Sequence, residues 1–163
     1  MAQKERDVKT NNAKRNAKTR DAEKSDANRL LSMAHGLAAH HGDTATITAK
    51  TIDRDAFGEN PWVYVLVLEV DGAVIGYSAL CPLIHFQAGI RGIDIHHLFV
   101  EKEFRGLGLG RQLINASIRK ARELSCGYMK VGTHPDNKDA QATYLACGFV
   151  RQDASNPRFH ISL

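Results

Sequence analysis

The sequence predicts a mixed α/β fold, and three observations carry that reading. A β-rich hairpin comes first, a strand then runs through a glycine-rich turn into an amphipathic helix, and a strand and helix follow in alternation. Antiparallel strands from the hairpin and parallel strands from the later crossover together imply a mixed sheet flanked by helices.

The elements can be placed in order. Asn16 to Arg20 suits a weak edge strand. Ser25 and Asp26 offer a helix cap before Leu30, Leu31, Met33, Ala34, Leu37 and Ala38, whose helical spacing runs out near Gly42. A second short helix fits Thr51 to Phe57, ahead of the breaker Asn60-Pro61. Trp62 to Val70 is rich in β-branched and aromatic residues, Asp71-Gly72 supplies a turn, and Ala73 to Leu80 returns as the second arm. A loop is expected around Pro82 to Gly92, then a third strand over Ile93 to Val100. The helix after the glycine turn shows an apolar face of Leu113, Ile114, Ile118 and Ala121, with Ser117 on the same side, and ends near Gly127. Tyr128 to Gly132 reads as a strand, and Asn137 to Cys147 as a helix stopped by Gly148. Phe149-Val150 and His160 to Leu163 are candidate closing strands.

Composition narrows the class. A length of 163 residues, 43% hydrophobic and 25% charged, suits one ordinary globular domain over 16–163 behind a disordered leader at 1–15. The leader is poor in apolar residues and cannot bury enough surface to order itself. The net charge of +4 is concentrated there: the first twenty residues hold seven Lys/Arg against two acidic residues, leaving fifteen against sixteen in the rest. A basic leader without an aromatic residue gives no platform for stacking a base, so no specific nucleic-acid partner is expected. The longest apolar run, Trp62 to Leu68, is too short to cross a bilayer and no secretory signal is evident, so a cytoplasmic protein without a membrane partner is expected. Cys81, Cys126 and Cys147 never form a CxxC pair and read as buried, reduced thiols. The paired histidines His40-His41 and His96-His97 lack a completing ligand set, so no metal is expected.

Arg105-Gly106-Leu107-Gly108-Leu109-Gly110, between a strand and a helix, is suited to holding a phosphate. Glycines let consecutive N–H groups turn toward an anion, and the helix start adds its positive end. Arg111 after Gly110 excludes a P-loop, which needs Lys-Ser/Thr there, and the spacing is GxGxG instead of the dinucleotide GxGxxG. In the strand before it, regular alternation puts Asp94 and His96 on one side and His97 on the other, unless a bulge intervenes.

Arg105-x-x-Gly108-x-Gly110 resembles the Q/R-x-x-G-x-G/A signature of GNAT acetyltransferases. Leu98 to Phe104 resembles that family's lead-in. Asn137-x-x-Ala140-x-x-x-Tyr144-x-x-x-Gly148-Phe149 resembles the second half of its coenzyme site, and Arg20-x-Ala22 with Asp26 its first strand and helix entry. The resemblance implies a GNAT fold, a mostly antiparallel sheet whose central parallel strand pair splays around acetyl-CoA. It implies acetyl-CoA as cosubstrate, held by Leu98, Phe99, Val100, Arg105, Gly106, Leu107, Gly108, Leu109, Gly110, Arg111 and Asn137. It also implies Tyr144 as proton donor to the departing thiolate, and a base or amine-binding group at His96 or Asp94, with His97 still in play. A small-molecule primary amine is the implied acceptor, and a homodimer is an option. A protein N-terminus or lysine as acceptor, or a non-catalytic acyl-CoA-binding regulatory domain, are the alternatives. Asp55-Ala56-Phe57-Gly58, Pro61-Trp62 and Ile93 to Gly110 further resemble the diamine (spermidine/spermine-type) branch, where an acidic pair stands in place of His96-His97.

Overall fold

In the computed structural model, residues 16–152 and Ile161 are described, the side chains of His40 and His41 excepted. The expected leader at 1–15 lies outside them. The described chain divides into two units, one ending at Gly132 and the other starting at Thr133.

The first unit is built on a five-stranded sheet ordered β1-β2-β3-β4-β5. Strand β1 (Ala17–Asp21) is the edge, antiparallel to β2 (Tyr64–Val70), which turns through Asp71-Gly72 into β3 (Ala73–His85). Strand β4 (Ile90–Val100) is antiparallel to β3 and parallel to β5 (Tyr128–Val131). The sheet is thus mixed as expected. The Pro82–Gly92 stretch, however, is not a loop. Ile84↔Arg91 and His85↔Ile90 remain paired, and the chain reverses in a 3₁₀ turn, Phe86–Ala88, closed by left-handed Gly89. The ladder tolerates Pro82 because a proline lacks only its own N–H, while the alternating residues around it extend the hairpin.

Helices cover both faces. Helix α1 (Ala27–His41) ends on left-handed Gly42, and α2 (Ala49–Phe57) starts from Thr48, whose hydroxyl accepts the Thr51 N–H. Their Leu30, Met33 and Ile52 bury against Val67, Val74 and Tyr77. Helix α3 (Leu109–Glu123) places Leu109, Leu113, Ile114, Ala116, Ser117 and Ala121 on the opposite face. There the Ser117 hydroxyl sits 2.9 Å from that of buried Ser78 on β3. Both polar groups are satisfied inside an apolar layer, which removes the penalty of burying them.

The edge strand is held by charge. Arg20 donates to both oxygens of Asp26, at 2.7 and 3.0 Å, and to Glu69 at 3.0 Å, and Lys18 pairs with Glu69 at 3.0 Å. Asp26 and Glu69 are buried. The Arg20 guanidinium beside them holds both carboxyls below the usual carboxylate range.

The second unit holds α4 (Lys138–Ala146), with Asn137 as its cap. Phe149-Val150, expected as a strand, forms none. Of His160 to Leu163 only Ile161 is described, outside any element. Among the described residues Cys81, Cys126 and Cys147 form no disulfide, and all three are half-buried instead of fully buried.

Because the Asp26 and Glu69 carboxyls titrate low in the folded state, their contribution is full above a pH of about 5 and is lost as pH falls through their folded values. Arg20→Met is expected to cost about 2–3 kcal/mol at pH 7, between exposed and fully buried pairs. Urea melts of both proteins at pH 7 and pH 2.5 check this. A wild-type advantage that stays undiminished in acid contradicts it.

Candidate active site

Strand β4 changes character halfway along. Its parallel pairing with β5 runs from Gly92↔Tyr128 to Ile95↔Val131, where β5 ends, while β4 continues five residues to Val100. Gly92 permits the start of this pairing, because a Cβ there would lie 2.2 Å from the Tyr128 ring. Beyond Ile95, Leu98, Phe99 and Val100 pair with Ser78, Tyr77 and Gly76 on the β3 side. Their other edge has outrun β5.

A bulge marks the same point. His97 pairs with Ala79 and Ile95 with Leu80, which leaves His96 as an extra residue in β4. An extra residue breaks the two-residue alternation and re-aims the side chains on either side of it. His97 was expected opposite His96; instead their rings stack, with centroids 4.9 Å apart and planes 10° from parallel. Asp94 joins them, with Oδ2 3.8 Å from His96 Nδ1. The three candidates for base or amine-binding group therefore form one cluster. His96 is exposed, while Asp94 and His97 are half-buried. Tyr77, which sequence reasoning missed, reaches His97 Nδ1 with its hydroxyl at 3.1 Å. Strand alternation put Tyr77 in the core, and nothing local marks a partner twenty residues away. Cys81, paired with Asp94 across the ladder, has its thiol pushed up by burial and by that carboxylate.

After Val100 the chain passes a 3₁₀ turn, Lys102–Phe104, into the glycine segment. Arg29 pairs with Glu101 and donates to the Val74 carbonyl at 2.8 Å, fastening this exit to β3. The Arg105 side chain is spent locally: Nε donates to the Val100 carbonyl at 2.8 Å and the guanidinium lies 5.6 Å from the Phe99 ring centroid. Gly106 and Gly108 are left-handed, with φ of 75° and 78°, and Gly108 caps α3. Leu109 anchors the first turn in the core, leaving Leu107 half-buried, Gly110 in open space and Arg111 exposed. At the start of α3, as of any helix, the first amides have no intrahelical acceptor. Two left-handed glycines followed by such a turn fit an anion.

In the second unit the motif residues have local work. Asn137 Oδ1 accepts the Ala140 N–H at 3.1 Å, capping α4. At the other end the Phe149 N–H bonds the Tyr144 carbonyl and the Gly148 N–H that of Leu145, with Gly148 at φ 91°. This is a Schellman ending, and its usual apolar contact is Tyr144 against Phe149, ring centroids 5.9 Å apart. The Tyr144 phenol is half-buried and its ionisation is pushed up, first by burial and then by Cys147.

A separate cavity of about 420 Å³ lies in the first unit, lined by Tyr64, Pro82, Ile84, Arg91, Leu124 and Cys126 among others, and holds none of the expected site residues. Among the described residues no group of three His, Cys, Asp or Glu is placed to hold a metal, and no helix is long and apolar enough to cross a membrane.

The Acetyltransferase (GNAT) family model matches residues 30–149. A thialysine N-epsilon-acetyltransferase of Sus scrofa is 27% identical over 139 residues, covering 79% of this chain and 81% of the relative. The L-amino acid N-acyltransferase MnaT of Escherichia coli is 33% identical over 86 residues, 53% of this chain and 49% of that protein. Among solved structures, an aminoglycoside acetyltransferase from an uncultured soil metagenomic sample superposes with a TM-score of 0.77 at 13% identity, over 91% of this chain and 98% of that one.

The glycine geometry predicts an asymmetry. Gly108→Ala should cost about 1–2 kcal/mol, because a Cβ at φ 78° is strained. Gly110→Ala, in open space inside α3, should be neutral or stabilise by up to about 1 kcal/mol. Thermal melts giving the opposite order would show the turn relaxing into another conformation.

Proposed function

The chain belongs to the GNAT acetyltransferase family and is an acetyl-transfer enzyme, and from that premise we propose that it moves acetyl from acetyl-coenzyme A to a primary amine of a small molecule. The observation that carries the proposal is β4 itself: one strand bears an acid–base cluster, outruns its parallel neighbour, and feeds the anion-suited turn.

Acetyl-coenzyme A supplies an activated thioester and a pyrophosphate by which to hold it. Backbone amides between Arg105 and Arg111 are proposed to hold the pyrophosphate, with the Arg105 side chain bracing the strand end instead of reaching outward. The amides of Leu98 to Val100 are proposed to steady the acyl carbonyl, where donors aimed at developing negative charge contribute most. Asn137 is proposed as a further coenzyme contact through the amide group that remains after its Oδ1 has capped α4.

An ammonium group must lose a proton before it can attack. The cluster of Asp94, His96 and His97 is proposed to bind the cation and collect that proton. Tyr144 is proposed to donate to the departing sulfur. Its raised ionisation supports this, since the phenol stays protonated at neutral pH. The names of the relatives favour an amine acceptor, a side-chain amine in one and an amino acid in the other. With two histidines where the diamine branch has an acidic pair, attraction for a polycation is reduced, and a monoamine is favoured.

A thiol-release screen with acetyl-CoA against diamines, amino acids, aminoglycosides and peptides tests the reading; turnover with peptides alone would move the acceptor to protein amines, and none at all would leave a binding domain. Gly110→Val should keep the melting temperature and weaken acetyl-CoA binding by about tenfold or more, roughly 1.4 kcal/mol. Unchanged affinity by calorimetry would remove the cradle. Tyr144→Phe keeps the ring packed on Phe149 and should lower kcat by about 10–10²-fold, at or below the low end for general acid help because a thiolate already leaves well. Wild-type kcat in that variant would leave Tyr144 with its packing role alone.

A further inference from the structure

Tyr77 is an unusual partner for a half-buried histidine. Only 4% of it is exposed, and its ring lies in the core with Leu30, Met33 and Ile52. Its hydroxyl, the one polar atom of that side chain, meets Nδ1 of His97 at 3.1 Å, with the two rings edge to face at 6.3 Å. Burial drives the phenol's ionisation far above the ordinary tyrosine value, so the group remains O–H. A hydroxyl differs from a carboxylate here, because it can give a hydrogen bond to a bare Nδ1 or take one from Nδ1–H.

His97 is thereby the ring of the pair with a fixed inner end. His96 is the extra residue of the bulge, its side chain 63% exposed and its Nδ1 turned toward Asp94. Among the described residues, the groups facing His97 include Tyr77 from β3 and His96, with Asp94 behind it, from β4. Phe99 packs beside Tyr77 at 6.2 Å and carries Arg105 on its ring. Helix α1 reaches this face at Gly36, where a Cβ would lie 3.6 Å from Phe99.

On the reading that the β4 cluster serves acetyl transfer, we propose that Tyr77 is a positioning residue: it holds the His97 imidazole through Nδ1 and makes His97 Nε2 the site that takes the proton from the acceptor ammonium. The proton leaves the ammonium nitrogen and forms the Nε2–H bond, while Nδ1–H stays bonded to the Tyr77 oxygen; no other group changes charge. His96 and Asp94 then serve to hold the cation. The hydroxyl's ability to accept is what keeps the resulting imidazolium from losing its inner partner when it gains a proton outside.

The test compares Tyr77→Phe, His97→Gln, His96→Gln and the Tyr77→Phe/His97→Gln pair, using the best amine of a screen and ¹⁵N-histidine spectra of the full-length protein. Tyr77→Phe keeps the ring in the core and is expected to move the His97 ring-nitrogen resonances while leaving those of His96 in place. It should lower kcat about tenfold, with the amine KM within about twofold and the acidic limb of the pH–rate profile displaced. His97→Gln should abolish that limb, and adding Tyr77→Phe to it should cost nothing further, since residues acting through one another are not additive. His96→Gln should raise KM and keep the limb. Unmoved His97 resonances in Tyr77→Phe, an unchanged profile, full additivity in the pair, or loss of the limb on His96→Gln would each overturn the proposal. Wild-type protein that acetylates no amine overturns the functional reading beneath it, a result visible before any substitution is made.

Discussion

Strand β4 has to satisfy two neighbours of opposite sense, and they do not ask for the same length. Strand β3 pairs with it antiparallel from Ile90 to Val100, while β5 pairs parallel only from Gly92 to Ile95. Backbone N–H and C=O groups must find partners, so a strand that outruns one neighbour carries an edge whose bonds are left for water or a ligand. The His96 bulge falls at this transition, where one strand ladder has just ended and the other must absorb an extra residue. The sheet thus delivers an open edge and a re-aimed cluster of side chains at one place.

The surroundings keep that place from relaxing. The Arg105 side chain closes on the Val100 carbonyl, the Arg29–Glu101 pair ties the exit to β3, and Tyr77 takes the inner nitrogen of His97. Each brace uses a polar group with a named partner, and each ends on the last residues of β4 or just beyond. On the far side of the sheet, buried Leu109 fixes where α3 begins, and with it where the first-turn amides are offered. Preorganisation of this kind lets donors act on developing charge without first having to move.

Much of this was legible from residues alone. The Asp71-Gly72 turn, the apolar spacing of α1 and the glycine segment opening α3 have local signatures, and the structure follows them to within a few residues. Three features had none. The continuation of the hairpin through Pro82 to His85 depends on Arg91 and Ile90 opposite, not on any nearby residue. The bulge that brings His97 beside His96 is a register shift between two strands, which period-two alternation within one strand cannot express. Tyr77 read as core, and it is core; its second role is carried by one oxygen. The motif Tyr144 to Phe149 carries two messages at once, because the spacing that resembles a coenzyme site is also a Schellman helix ending. Its local cause is visible in the structure, and its catalytic role rests on the resemblance.

The open edge of β4 and the glycine turn are proposed to receive acetyl-coenzyme A together. Backbone amide chemical-shift mapping during a titration with acetyl-CoA tests it directly. Saturable shifts are expected at Leu98 to Val100 and Gly106 to Arg111, with the amides of Tyr64 and Cys126 at the separate cavity unmoved. Saturable binding that leaves those two segments still and shifts the cavity residues would contradict it.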